Sequence, residues 1–213
     1  MIITILTDNK SSWFISYGNK LKKQLTAKGH EVKYIFDKVD IPNGDVCFLL
    51  SCTKIVQQEF LDKNKHNIVI HASDLPQGKG FSPLQWQILE GKDTIVLTLF
   101  EAVDAVDAGS YYMKRSIEFD GSEMHDELRH ILAEKIIEMS LEFIDKYSEM
   151  QPIEQFGQDS FYPRRTEKDD EINPEKSIVE LFNHFRIANN EQFPLYFNHR
   201  GHKYTIKIEK HLD

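Results

Sequence analysis

The run Asn67–His71, NIVIH, and the stretch it opens, His71–Gly91 (HASDLPQGKGFSPLQWQILEG), decide how the chain folds. NIVI is short, apolar and β-branched, the composition of a strand buried on both faces of a sheet. Pro76, Gly78, Gly80 and Pro83 then impose a turn-rich loop, and Pro83–Glu90 reads as a short helix with proline at its first position. Strand, constrained loop and helix make up one unit of an α/β sheet. His71 stands at the carboxyl end of the strand, where such sheets gather their ligands.

The same alternation extends in both directions. Upstream, Ile2–Leu6 reads as a buried strand. Phe14, Tyr17, Leu21 and Leu25 then fall at helical spacing, with Ser11 or Ser12 able to cap the start and Gly29 able to close the end. Glu31–Phe36 and Val46–Leu50 read as strands, followed by a helix over Lys54–Asp62. Downstream come strands at Thr94–Leu99 and Tyr111–Phe119. A long helix, Glu123–Tyr147, carries Leu128, Ile131, Leu132, Ile136 and Met139 on one stripe. Strands alternating with helices imply a parallel sheet with crossover helices, so residues 1–150 read as one doubly wound α/β domain. Residues 151–213 read as a small α+β extension packing back on it. The extension comprises a polar, irregular connection, a helix over Glu175–Ile187 with Pro174 at its first turn, and two strands around an Arg-Gly turn.

Composition narrows the function. The 213 residues carry a formal net charge of −8, which leaves no basic surplus for neutralising nucleic-acid phosphates. Every apolar run is well short of the roughly 18 residues a membrane span requires. The first residues, MIITILTDNK, lack the basic start and cleavage site of a secretory leader, and Cys47 and Cys52 lie too close together for a secreted disulfide framework. A cytoplasmic protein is expected. No histidine cluster has zinc spacing, so no metal is expected. The absence of GxGxxG after the first strand argues against a nicotinamide enzyme.

Asp107, in DAVDAGSYY, precedes a strand and can reach the rim that holds His71. An imidazole oriented by a carboxylate can donate a proton or hydrogen bond to an oxyanion near neutral pH. By themselves the two residues fit a structural pair equally well.

HASDLPQGKGFSPLQW resembles the signature of folate-dependent formyltransferases, histidine-x-serine-x-leucine-proline, then a glycine-containing loop and proline-x-x-tryptophan. VDAG resembles the later Asp-x-Gly element of that superfamily, which includes methionyl-tRNA formyltransferases. FYPRRTEKDDEIN and LFNHFRIANNEQFPLYF resemble the segment beyond the catalytic domain in enzymes that formylate nucleotide-linked amino sugars. The resemblance implies a Rossmann-like formyltransferase domain and N10-formyltetrahydrofolate as formyl donor. It also implies an acceptor amine on a nucleotide-linked deoxyamino sugar, made for surface glycans. His71 would stabilise the tetrahedral oxyanion, and Asp107 would orient His71 and help remove the proton from the attacking nitrogen. Ser73, Leu75, Pro76, Gly78, Lys79 and Gly80 would shape the folate pocket, while Trp86 and Pro83 pack the loop.

One position departs from the pattern. Where the superfamily has an asparagine two residues before the histidine, this chain has Val69. Asn67 shares its strand face but lies about 13 Å from His71, too far to replace it. Ser51, Asn9 or a main-chain amide is left to supply that donor. On the acceptor side, Asn9, Lys10 and Ser11 precede a helix start that favours anions, and Arg164, Arg165 and Arg186 could grip a pyrophosphate. Three alternatives stay open: formylation of methionyl-tRNA, formylation of another amine, or a folate- or nucleotide-sugar-binding protein without catalysis. The apolar alternation of the tail is a surface that a homodimer could use.

Overall fold

The computed structural model describes residues 1–211. In chain order its elements are β1 (Ile2–Leu6), α1 (Ile15–Ala27), β2 (Glu31–Ile35), β3 (Gly44–Leu49), α2 (Gln58–Leu61), β4 (Asn64–His71), β5 (Lys79–Gly80) and α3 (Pro83–Leu89). They continue with β6 (Thr94–Glu101), β7 (Tyr111–Glu118), α4 (His125–Asp145), β8 (Phe161–Tyr162), α5 (Phe182–Ile187), β9 (Leu195–His199) and β10 (His202–Ile206). Six strands form the central sheet in the order β2-β1-β3-β4-β6-β7.

Sequence alternation explains the layers. In β1 and β3, Ile3, Ile5, Val46 and Phe48 turn to the main core beneath α1 and α4. Leu6, Cys47 and Leu49 turn to a second cluster with Val56 and Leu61 on the opposite face. Burial on both faces accounts for uninterrupted apolar strands, each large side chain stabilising the fold by about 1.5–3 kcal/mol. The stripe on α4 behaves as its spacing requires: Leu128, Ile136 and Met139 are buried, and Ile131 and Leu132 pack partly buried against the same core.

The sheet is mixed rather than wholly parallel. The strands β2, β1, β3 and β4 are mutually parallel, but β6 is antiparallel to β4 and β7 to β6. No helix connects β6 to β7, and without a crossover adjacent strands must reverse.

Two helices are shorter than their sequences suggest. Over Lys54–Asp62 only α2, Gln58–Leu61, is helical. The Asp8 carboxylate accepts the Thr53 and Lys54 N–H groups, each at 2.7 Å, and holds those residues in a loop. In the tail, helix begins at Phe182 and not at Glu175, because Ser177 and Glu180 cap each other in a preceding turn. Ser11 and Ser12 do not cap α1 at its start either. The Ser12 hydroxyl accepts the Phe14 N–H at 3.3 Å in a turn one residue before the helix. The tail hairpin turns at Arg200 and Gly201, both with positive φ (49° and 80°), which suits the twist of β9 and β10. Ile172, Leu181, Phe185, Ala188 and Leu195 form the tail's own small core, while Ile187 enters the main one. Among the described residues no helix is long and apolar enough to cross a membrane.

Candidate active site

His71 ends β4, nearly buried at 9% exposure, and its Nε2 lies 2.8 Å from the Gly78 carbonyl oxygen. A carbonyl only accepts, so that nitrogen carries the proton. The same Nε2 is 3.8 Å from an Asp107 carboxylate oxygen, which accepts the Gly80 N–H at 2.8 Å. Topology makes this meeting non-obvious. Glu101, at the end of β6, stands opposite Ile68, midway along β4. The loop after Glu101 must therefore fold back along the sheet to deliver Asp107 to the strand end. Two features shape that return. Asp107 adopts φ +50°, a left-handed conformation that Asp tolerates better than most residues. At position 109 a Cβ would sit 1.7 Å from the Glu101 carbonyl oxygen, so only glycine fits.

The loop after His71 is clamped from below. The Thr98 hydroxyl donates to the Ser73 carbonyl at 2.7 Å and accepts from the Leu75 N–H at 3.3 Å. The Gln87 amide donates to the Ala72 carbonyl at 2.7 Å. Trp86 stacks on Tyr162 and donates its indole N–H to the Pro163 carbonyl, so it packs the loop as expected.

A cavity of about 550 Å³ opens beside the couple, over the carboxyl ends of β3, β4 and β6. Leu49, Val56, Val69, Phe100 and Ala102 supply apolar wall, and His71 and Asp107 supply its charged end. Of the six residues expected to shape a folate pocket, Gly80 alone lines this cavity. Ser73, Leu75, Pro76, Gly78 and Lys79 are buried within the loop. The Ser73 hydroxyl is buried and has no hydrogen-bond partner among the described residues. Lys79 pairs with Asp159 at 2.8 Å.

Ser51 lines the same cavity at φ +56°, its hydroxyl 3.1 Å from that of Ser12. The β3–β4 register ends with Leu49 against Val69, and Ser51 follows two residues beyond the end of β3. Asn9 is exposed and turns its side-chain oxygen to the Ser11 N–H at 2.8 Å. Cys52 also lines the cavity, but burial, with Asp8 nearby, pushes its thiol up to about 12, which removes it as a nucleophile.

The acceptor-side expectations divide. Arg164 lies at the mouth, its guanidinium 4.3 Å from the Phe81 ring centroid and 3.5 Å from the Thr53 carbonyl. Arg165 does not reach the cavity, because it is paired with the buried Asp170. Arg186 does not either: it is 1% exposed and bonded to Glu123 at 3.0 Å inside the protein. Asn9, Lys10 and Ser11 form an exposed turn off the cavity wall.

A family model for formyl transferase matches residues 14–142, more than half of the chain. The chain belongs to the formyl transferase family. Methionyl-tRNA formyltransferase of Sulfurihydrogenibium sp. (strain YO3AOP1) is 28% identical over 156 residues, 71% of this chain and 50% of that protein. The chain thus spans about half the length of the curated relatives it matches. Methionyl-tRNA formyltransferase from Clostridium thermocellum shares the fold with a TM-score of 0.82 at 23% identity, over 100% of this chain and 94% of that one. A sugar N-formyltransferase from Shewanella sp FDAARGOS_354 shares it with a TM-score of 0.74 at 14% identity, over 100% and 99%.

Formyl transferases of this family use N10-formyltetrahydrofolate. The residues present fit that group. The volume lies in the ordinary range for ligand sites, and an apolar wall ending in a polar pair suits a heteroaromatic ring bearing a reactive one-carbon unit. Sequence reasoning missed Thr98, Gln87 and Asp8, which set the loops, and Lys54 and Arg129, which line the cavity. None of them belongs to a motif; tertiary placement alone assigns them.

Proposed function

We propose that the protein is a cytoplasmic N-formyltransferase that moves a formyl group from N10-formyltetrahydrofolate to the amine of a nucleotide-linked deoxyamino sugar. One observation carries this reading. The cavity that ends in His71 and Asp107 is edged by Lys54, Arg129 and Arg164, none of which has an ion-pair partner among the described residues, in a chain of net charge −8. Asp104 is the acidic residue there besides Asp107. Three free cations beside a pocket of this size suit a diphosphate, and arginine forks match phosphate geometry.

The couple supplies the chemistry. The acceptor nitrogen attacks the formyl carbon, the new C–N bond forms, and the bond to the donor nitrogen breaks. His71 holds its Nε2 proton where it can leave the Gly78 carbonyl for an oxygen gaining negative charge. Asp107, fixed by the Gly80 amide, orients that ring, receives the proton shed by the attacking amine and returns it to the donor nitrogen as that nitrogen leaves.

The curated relatives favour a second reading, formylation of methionyl-tRNA. Purified protein with N10-formyltetrahydrofolate should be assayed on UDP-, dTDP- and GDP-linked amino sugars and on methionyl-tRNA. We expect turnover of a nucleotide sugar, with His71→Ala and Asp107→Asn each lowering kcat by about 10²–10⁴-fold. Undiminished activity in both variants would remove the couple from the reaction, and turnover of the tRNA alone would transfer the chain to the second reading.

A further inference from the structure

One stretch of the tail, Gln155–Tyr162, touches both loops that carry the couple. The Gln155 amide donates to the Asp107 carbonyl at 3.0 Å and to the Gly109 carbonyl at 2.7 Å. Those bonds span the left-handed residue that aims the carboxylate and the glycine that permits the return of the loop. Five residues on, the Ser160 hydroxyl accepts the Gly78 N–H at 2.8 Å, and the Ser160 carbonyl accepts the Lys79 N–H at 2.9 Å. Gly78 is the residue whose carbonyl takes the His71 proton. The pairing of β5 with β8 continues the seam, and at Gly80 a Cβ would lie 2.5 Å from the Tyr162 carbonyl oxygen. The stretch is itself anchored upstream, where Ile153 and Tyr111 exchange both main-chain hydrogen bonds.

We propose that Gln155 and Ser160 are positioning residues for the reaction: through one rigid strap they set the separation and angle of Asp107 and His71. Neither side chain lines the cavity, so both act through the couple. The inference rests on the formyl-transfer reading, and it explains why a segment that looks like an irregular linker lies against the catalytic loops. Each end of the strap fixes one partner. Loosening either end changes the 3.8 Å separation without removing a reacting group.

The test uses the full chain with Gln155→Leu, Ser160→Ala and Ser160→Thr, and with Phe156→Ser as a control. Phe156, the strap residue next to Gln155, is 97% exposed and makes no hydrogen bond to either loop among the described residues. For Gln155→Leu and Ser160→Ala we expect kcat to fall about 10- to 100-fold, with KM for the folate within a factor of about two and the thermal midpoint held. Ser160→Thr, which keeps the hydroxyl, should recover most of the rate, and Phe156→Ser should leave it unchanged. A second readout does not depend on turnover. The ring-nitrogen NMR signals of His71, assigned by their loss in His71→Ala, should move in both strap variants while those of the other histidines hold. Full activity in the two strap variants, beside an inactive His71→Ala, would overturn the positioning role and leave the proposed function intact. Loss of activity only in proportion to loss of folded protein would also overturn it. If the native protein formylates none of the acceptors, the proposed function fails, and unmoved His71 signals would sink the strap separately.

Discussion

At Val69 the chain lacks the amide that its resemblance to formyltransferases leads one to expect. The valine is part of the apolar wall, on the strand face it shares with Asn67 and His71. Asn67 is already spent on the Leu61 carbonyl at 2.9 Å and cannot substitute. Ser51 is the side chain placed to act, because it lines the same cavity as His71. Ser51→Ala should therefore lower kcat by roughly 10²-fold, the usual cost of one oxyanion donor. Val69→Asn in that background should restore part of the loss. Steady-state rates of the two variants decide it, and an unchanged rate in Ser51→Ala would leave the main chain as donor. What could be read at this scale follows from locality. That His71 and Asp107 meet was legible because each sits in a short motif with a fixed loop. The roles of Arg165 and Arg186 were not, because a guanidinium takes whichever carboxylate the fold delivers, and Asp170 and Glu123 are delivered by tertiary packing.

Arg186 shows how much one element depends on such a pair. It lies on α5, a helix of six residues too short to be stable by itself. Its guanidinium reaches Glu123 at 3.0 Å, the Glu123 carbonyl at 3.3 Å, Asn183 at 3.1 Å and Asp93 at 3.6 Å, tying the tail to the start of α4. Arg186→Ala takes the guanidinium from a partly buried carboxylate that keeps the Asp120 and Gly121 N–H groups, so denaturant unfolding should show a loss of about 3 kcal/mol. Arg186→Met combined with Glu123→Gln should recover most of that, and KM for the acceptor should be unaffected in the folded fraction. A rise in KM without destabilisation would return Arg186 to the acceptor site. Periodicity revealed α1 and α4 because each carries a full apolar face, and Pro83 at the first position marked α3. The tail helix was overread because Ile178 and Val179 stand 67% and 85% exposed inside the turn closed by Ser177 and Glu180, with no apolar face to pack. The reversal of β6 against β4 was hidden for a different reason: strand composition does not encode orientation, and α3 lies between the two strands just as a crossover helix would between parallel ones.

Across the whole molecule, charge separates the two acceptors. A net charge of −8 sets up a repulsive field for any polyanion, while Lys54, Arg129 and Arg164 form a small attractive patch at the cavity mouth. A diphosphate can touch only those few cations. Its apparent affinity should fall about tenfold between 50 and 200 mM salt, since each neutralised phosphate contributes roughly one unit to the log–log slope. Lys54→Ala and Arg164→Ala should each reduce that slope by about one. A tRNA held through six or more phosphates would instead lose about 10³-fold or more over the same interval. It would also respond to lysines all over the surface rather than to these two positions. Measuring KM for the best nucleotide sugar at four salt concentrations, in the native protein and both variants, separates the cases. A shallow slope that flattens stepwise supports the diphosphate at the mouth. A steep slope indifferent to Lys54 and Arg164 would require a basic surface elsewhere on the protein to bind a nucleic acid.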